Sequence, residues 1–141
     1  MSLVFWDTML FIYWIEENPV FGERVNTIRE RMWARNDQLC TSALTVGEIL
    51  AGPAARQNKE LADRYVELIS PPLVQVFPFT IETARLFANI RADKGIDSAD
   101  AVQLACAATA KVDLFLTNDR RLSRKTIPGI QFIADLNFDY L

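Results

Sequence analysis

Two apolar runs that end alike limit the fold more than any other feature of this chain. Leu3-Val4-Phe5-Trp6 leads straight into Asp7-Thr8, and Leu114-Phe115-Leu116-Thr117 leads into Asn118-Asp119. A short run without polar alternation reads as a strand buried on both faces, the condition of a strand inside a parallel sheet. A helical pattern follows Asp7, which therefore stands at the carboxyl end of its strand. Ligands bind at that edge in open α/β sheets.

Between these runs, strands alternate with helices. Residues 8–17 are apolar almost all round (Leu10, Phe11, Ile12, Tyr13, Trp14, Ile15), more than one face against a sheet requires, which points to a further contact such as a partner. Asn18-Pro19 predicts an N-cap with proline at the first helical position, followed by Phe21, Val25, Ile28, Met32 and Trp33 at helical spacing. Leu39-Cys40-Thr41-Ser42 reads as a second strand. Thr45 and Glu48 then have capping-box spacing, with Leu44 and Ile49 as a hydrophobic staple. Gly52-Pro53 is expected to interrupt this helix, and a further one over residues 54–69 to bury Leu61, Tyr65, Leu68 and Ile69 before Ser70-Pro71-Pro72 stops it.

Residues 73–77 form the third expected strand. Thr80 begins a helix with Ala84, Phe87, Ala88 and Ile90 at its apolar positions and Gly95 as its C-terminal cap. An Ala-rich helix from residue 97 or 98 to 110 has side chains small enough for close packing on the sheet. After the fourth strand, a short segment through Lys125 and a Pro128-Gly129 turn lead to a last apolar run, residues 130–133. The alternation predicts a single α/β domain over residues 1–141, a parallel sheet covered on both faces.

At 141 residues such a domain buries roughly 68–70% of its unfolded surface without staples. No apolar stretch approaches the ~20 residues of a membrane span and no leader pattern opens the chain, so a soluble cytoplasmic protein is expected. The chain has no histidine, and its two cysteines, Cys40 and Cys106, are isolated in apolar surroundings. That excludes a Ser-His-Asp triad, a Cys-His pair and an ordinary zinc site. A hydrolase built from these residues must rely on carboxylates and hard metal ions. The net charge of −3 gives no global basic field, so nucleic acid would have to be met by a local patch. Arg120-Arg121 with Arg124-Lys125 is the nearest such run to Asp119, and it reads equally well as a solvated helical face.

Asp7, Glu48, Asp100 and Asp119 each lie just after a strand or in the first turn of a helix. Each alone has a capping or helix-dipole explanation. Together they converge on one sheet edge. Two carboxylates ~4 Å apart repel by about 4 kcal/mol at an effective dielectric of ~20, so the cluster calls for a counter-charge. Oxygen-only ligands favour Mg²⁺ or Mn²⁺ over zinc, and such a site can activate water and polarise a phosphoryl oxygen.

The segments WDTMLFIYWIEENP, LTVGEILAG, GIDSADAVQLACAA and LFLTNDRRL resemble, in order and spacing, the four acidic motifs of PIN-domain ribonucleases, and most of all bacterial toxins of the VapC type. The resemblance spans nearly the whole chain. It implies a three-layer α/β/α sandwich with a central parallel sheet of four or five strands, and a Mg²⁺- or Mn²⁺-dependent endonuclease acting on RNA. By this match Asp7, Glu48, Asp100 and Asp119 are the metal-site acids, while Thr117, Thr8 and Asn118 match supporting polar residues. Asp97 is left as a cap. Met9 stands where related toxins often carry a small polar residue. The implied partners are an RNA substrate, a cognate small antitoxin protein and a second copy of the chain, with no membrane.

A receiver-like phosphorelay domain expects adjacent acids after its first strand and a lysine after its last, and Trp6 and the region around Pro128 supply neither. A haloacid-dehalogenase-type phosphatase needs a second aspartate that Asp7-Thr8-Met9 lacks. None of the five glycines forms a Walker motif. The remaining rival is a PIN-like interaction module with little catalysis, which the apolar excess after Asp7 would serve.

Overall fold

The computed structural model describes residues 1–137; residues 138–141 of the expected domain lie outside them. Among the described residues, five parallel strands form one sheet in the order β3-β2-β1-β4-β5. They are β1 (Leu3–Trp6), β2 (Gln38–Ser42), β3 (Gln75–Phe77), β4 (Leu114–Leu116) and β5 (Phe132–Ala134). The first apolar run is thus the central strand, pairing Val4 with Leu39 and Leu114, and Phe5 with Cys40 and Phe115. The chain runs outward from β1 through β2 to β3, then crosses to β4 and β5 on the other side. Strand order reverses at β1, which places a crevice at its carboxyl end.

Side chains of β1 alternate between two apolar layers because successive residues of a strand point to opposite faces. Val4 and Trp6 join the layer of α1 (Thr8–Ile15) and α2 (Gly22–Ala34). Phe5 joins the layer of α5 (Ile81–Ile90) and α6 (Ser98–Ala110), stacking on Phe115 with ring centroids 5.0 Å apart. Ala101, Ala105, Ala107 and Ala108 are all buried, as the small-residue pattern of α6 predicts. The chain is therefore an α/β/α sandwich, completed by α3 (Ala43–Ala55), α4 (Lys59–Leu68) and the single turn α7 (Arg120–Ser123). No helix among the described residues is long and apolar enough to cross a membrane.

Several local expectations change. Gly52-Pro53 does not interrupt α3, which continues through Pro53 to Ala55. So near the helix end, a proline removes one backbone bond from a turn that is about to stop, and Gln57 at φ 53° then breaks the chain direction. Asn18 caps a turn through the N–H groups of Val20 and Phe21, and α2 begins only at Gly22. Trp33 is 75% exposed rather than part of the buried stripe, and α4 buries none of its residues, Leu68 included. Ala88 faces solvent, and Gly95 lies in a turn held by Asp93 while Arg91 is the C-cap of α5.

The apolar excess of α1 is consumed within the chain. Leu10 and Phe11 are fully buried, Tyr13 lies against Phe21, and Trp14 meets Trp6 edge-on beneath the Arg29 guanidinium. Only Met9 of its large apolar residues is exposed, at 42%. A helix held between a sheet and a second helix needs apolar residues on more than one face, so this excess does not by itself call for a partner.

Candidate functional site

Each acid reaches the carboxyl edge on a different element. Asp7 follows β1 and caps α1, its Oδ1 accepting the Thr8 N–H at 2.8 Å. Its Oδ2 accepts the hydroxyl of Thr117, the residue after β4, at 3.0 Å. Asp119 follows two residues later and caps α7. Asp97 caps α6 by accepting the Asp100 N–H, which sets Asp100 in the first helical turn. The expected capping box of α3 is displaced: Ser42 is the N-cap, Thr45 is buried inside the first turn, and Glu48 has no capping duty. Its carboxylate instead accepts the Thr8 hydroxyl at 2.7 Å.

The four acids share one electrostatic field. Burial pushes the Asp7 carboxyl up, against the bonds from Thr117 and Thr8, and the charges of Glu48 and Asp119 push it further. Asp100 rises to about 6, first through burial and then through Asp97, Asp7 and Asp119. Asp119 moves the other way because Arg121 donates to both of its carboxylate oxygens, at 3.3 and 3.0 Å.

This donor set suits a hard divalent cation in chemistry and charge. Its donors are carboxylate oxygens, and two of the acids resist ionisation, first because they are buried and then because of their neighbours' negative charge. As the side chains stand, no three acidic groups among the described residues come close enough to hold one ion. Glu48 presents one oxygen to Thr8, whereas Asp119 gives both to Arg121. Arg121 thus stands beside Asp119 where an ion would add its charge.

Beneath the acids lies a buried polar layer that sequence reasoning missed. Gln103 is 2% exposed and donates to the hydroxyls of Thr8 at 2.9 Å and Thr45 at 2.7 Å. Thr41 and Ser42 complete it. The available signal was a lone amide on the buried face of an Ala-rich helix, three residues after Asp100. Asn118 donates to the Tyr13 hydroxyl at 2.8 Å. Of the basic run, Lys125 pairs with Asp93 and Arg121 with Asp119, while Arg120 and Arg124 are exposed. A cavity of about 700 Å³ opens at the opposite end of the sheet, near Trp33, Gln38 and Leu73, and carries none of the four acids.

The PIN domain family model matches residues 4–127. Among solved structures, the chain is similar to VapBC2 from Rickettsia felis bound to a promoter DNA fragment, with a TM-score of 0.73 at 17% identity over 94% of this chain and 98% of that one. It is also similar to DNA-bound VapBC from Salmonella typhimurium, with a TM-score of 0.68 at 25% identity over 96% and 99%. A third likeness is to Mycobacterium tuberculosis VapC20, a sarcin-ricin loop cleaving toxin, with a TM-score of 0.60 at 17% identity over 79% and 86%. No curated protein matches by sequence.

Proposed function

This chain belongs to the PIN domain family, and from that premise we propose that it is a metal-dependent endoribonuclease, the toxin of a toxin–antitoxin pair. The observation that carries the reading is the convergence of Asp7, Glu48, Asp100 and Asp119 in one field where Asp100 is pushed to about 6. The likeness to toxin–antitoxin structures and to an RNA-cleaving toxin supports the biological role. A small antitoxin protein as partner, and pairing of two copies, belong to the same proposal.

The four acids would hold Mg²⁺ or Mn²⁺, with Thr8 orienting Glu48 and Thr117 orienting Asp7. A bound divalent ion supplies Lewis acidity, lowering the pKa of water and taking up charge on phosphoryl oxygens. In this scheme water is the nucleophile: its oxygen would bond to phosphorus as a water proton is released, the bond from phosphorus to the 3′ oxygen would break with that oxygen taking up a proton, and the products would carry 5′-phosphate and 3′-hydroxyl ends. Arg120 and Arg124, exposed beyond Asp119, are placed in sequence to meet substrate phosphates.

Purified chain incubated with end-labelled RNA and Mn²⁺ should yield 5′-phosphate ends, stop with chelator, and lose cleavage as Asp7→Asn or Asp100→Asn while staying folded. Cleavage that persists in chelator, or 2′,3′-cyclic phosphate ends, would overturn the reading.

A further inference from the structure

We propose that Gln103 is a positioning residue for the acid site: its amide sets the direction in which Thr8 donates, and so holds Glu48 at the carboxyl edge. The consequence for metal rests on the nuclease reading, whereas the geometry does not.

Each hydroxyl has one proton to give. Thr41 donates to the Trp6 carbonyl at 2.9 Å, so its 2.8 Å contact with Thr45 must use the Thr45 proton. Thr8 spends its own proton on Glu48 Oε1 at 2.7 Å. Thr8 and Thr45 thus face each other at 3.1 Å with both protons directed elsewhere, and each oxygen needs a donor. Gln103 Nε2 supplies both, at 2.9 and 2.7 Å, while Gln103 Oε1 accepts from Ser42 Oγ. A flipped amide would set its carbonyl against two oxygens without free protons and take from the Ser42 hydroxyl the acceptor of its proton. One orientation satisfies every group.

Direction then passes outward. With Gln103 donating into the Thr8 oxygen, the Thr8 proton is left for Glu48, the carboxylate that its hydroxyl touches. That bond occupies Oε1 and leaves Oε2 for an ion. Hydrogen-bonded carboxylates of this kind are what hold metal ligands in place, and loss of such an outer partner typically costs about 10–100-fold in affinity. A buried amide is expensive unless fully bonded, so an aliphatic residue would otherwise be the simpler filler among the alanines of α6.

The test uses the full chain as wild type, Gln103→Met, Thr8→Val and the double variant, with Mn²⁺ titrated calorimetrically and crystal structures of the metal-free single variants. Gln103→Met should bind Mn²⁺ about tenfold more weakly and add no further loss in the Thr8→Val background. Its crystal structure should show Glu48 released from Thr8. Wild-type affinity in Gln103→Met, losses that multiply, or Glu48 still bonded to Thr8 would each overturn the proposal. If Gln103→Met does not fold, Thr8→Val decides: release of Glu48 supports the relay and an unmoved Glu48 overturns it. If wild type binds no Mn²⁺, or Asp7→Asn binds it as tightly as wild type, the nuclease reading fails by itself, and the position of Glu48 in Gln103→Met alone judges the positioning role.

Discussion

Thr117 joins the two central motifs by donating its hydroxyl to Asp7 at 3.0 Å while accepting the backbone N–H of Asp119 at 3.1 Å. One 1%-exposed side chain thus orients two acids at once. Thr117→Val keeps the shape and removes both bonds. Leaving buried groups unpaired costs about 1–3 kcal/mol, so the urea midpoint should fall accordingly. The Asp7 carboxyl should rise further, since the Thr117 bond is what most opposes burial there. Mn²⁺ affinity should drop about 10–100-fold by the same logic of lost outer partners. Retained affinity would separate Thr117 from the site.

Gly129 tests the packing beneath α6. Its φ is +99°, and a Cβ there would sit 2.8 Å from the Ala108 carbonyl oxygen. Backbone strain of this kind costs about 1–3 kcal/mol before any steric shift is counted. Gly129→Ala should therefore lower the unfolding free energy by at least that much, read as a lower urea midpoint, with Mn²⁺ affinity unchanged because the turn carries none of the acids. An unchanged midpoint would mean that α6 can move away.

What was legible in the chain follows from how local each signal is. The two apolar runs ending in acids, the caps Thr80 and Asp97 and the small-residue stripe of α6 act within a few residues, and they are where sequence reading puts them. Ser42 displaced Thr45 as a cap because Thr45 is drawn into a buried layer assembled from α1, β2 and α6, residues far apart in the chain. Asn118 donates to Tyr13 on α1, a contact visible only once β1 and β4 are neighbours. Lys125 likewise pairs with Asp93 across the fold.

The acids impose a pH dependence on the metal-free protein. Asp100 has a folded value of about 6 against an ordinary 3.8, so between these the folded state holds a proton that the unfolded chain has released. Stability from this group is complete below about 3.8 and lost as pH rises through about 6. Asp7, also raised, acts in the same sense, while Asp119, held down by Arg121, acts in the opposite sense and loses its contribution on acidification. In chelator, Tm should fall between pH 4.5 and pH 7, and Asp100→Asn should flatten that slope and raise Tm at pH 7.5. Mn²⁺ should stabilise wild type more at pH 7.5 than at pH 5. A Tm that climbs steadily over this interval in wild type and variant alike would contradict the assigned repulsion.

Arg121 stands where a cation and a substrate would compete. It binds both oxygens of Asp119 and lowers that carboxyl, so it already supplies part of the positive charge that an ion would bring. Exposed ion pairs contribute about 0.2–1 kcal/mol, so Arg121→Gln should tighten Mn²⁺ binding by roughly 1.4- to 5-fold. Among the described residues, the exposed Arg120 and Arg124 make no ion pair with the acid cluster. Replacing each by Gln should leave Mn²⁺ affinity unchanged, raise KM for RNA, and reduce the slope of log affinity against log salt by about 0.7 per charge removed. The two sets of variants thus separate metal competition from phosphate binding. If Arg121→Gln weakens Mn²⁺ binding, the guanidinium orients Asp119 for the ion instead of competing with it; if Arg120→Gln and Arg124→Gln leave the salt slope intact, the substrate enters from another side of the crevice.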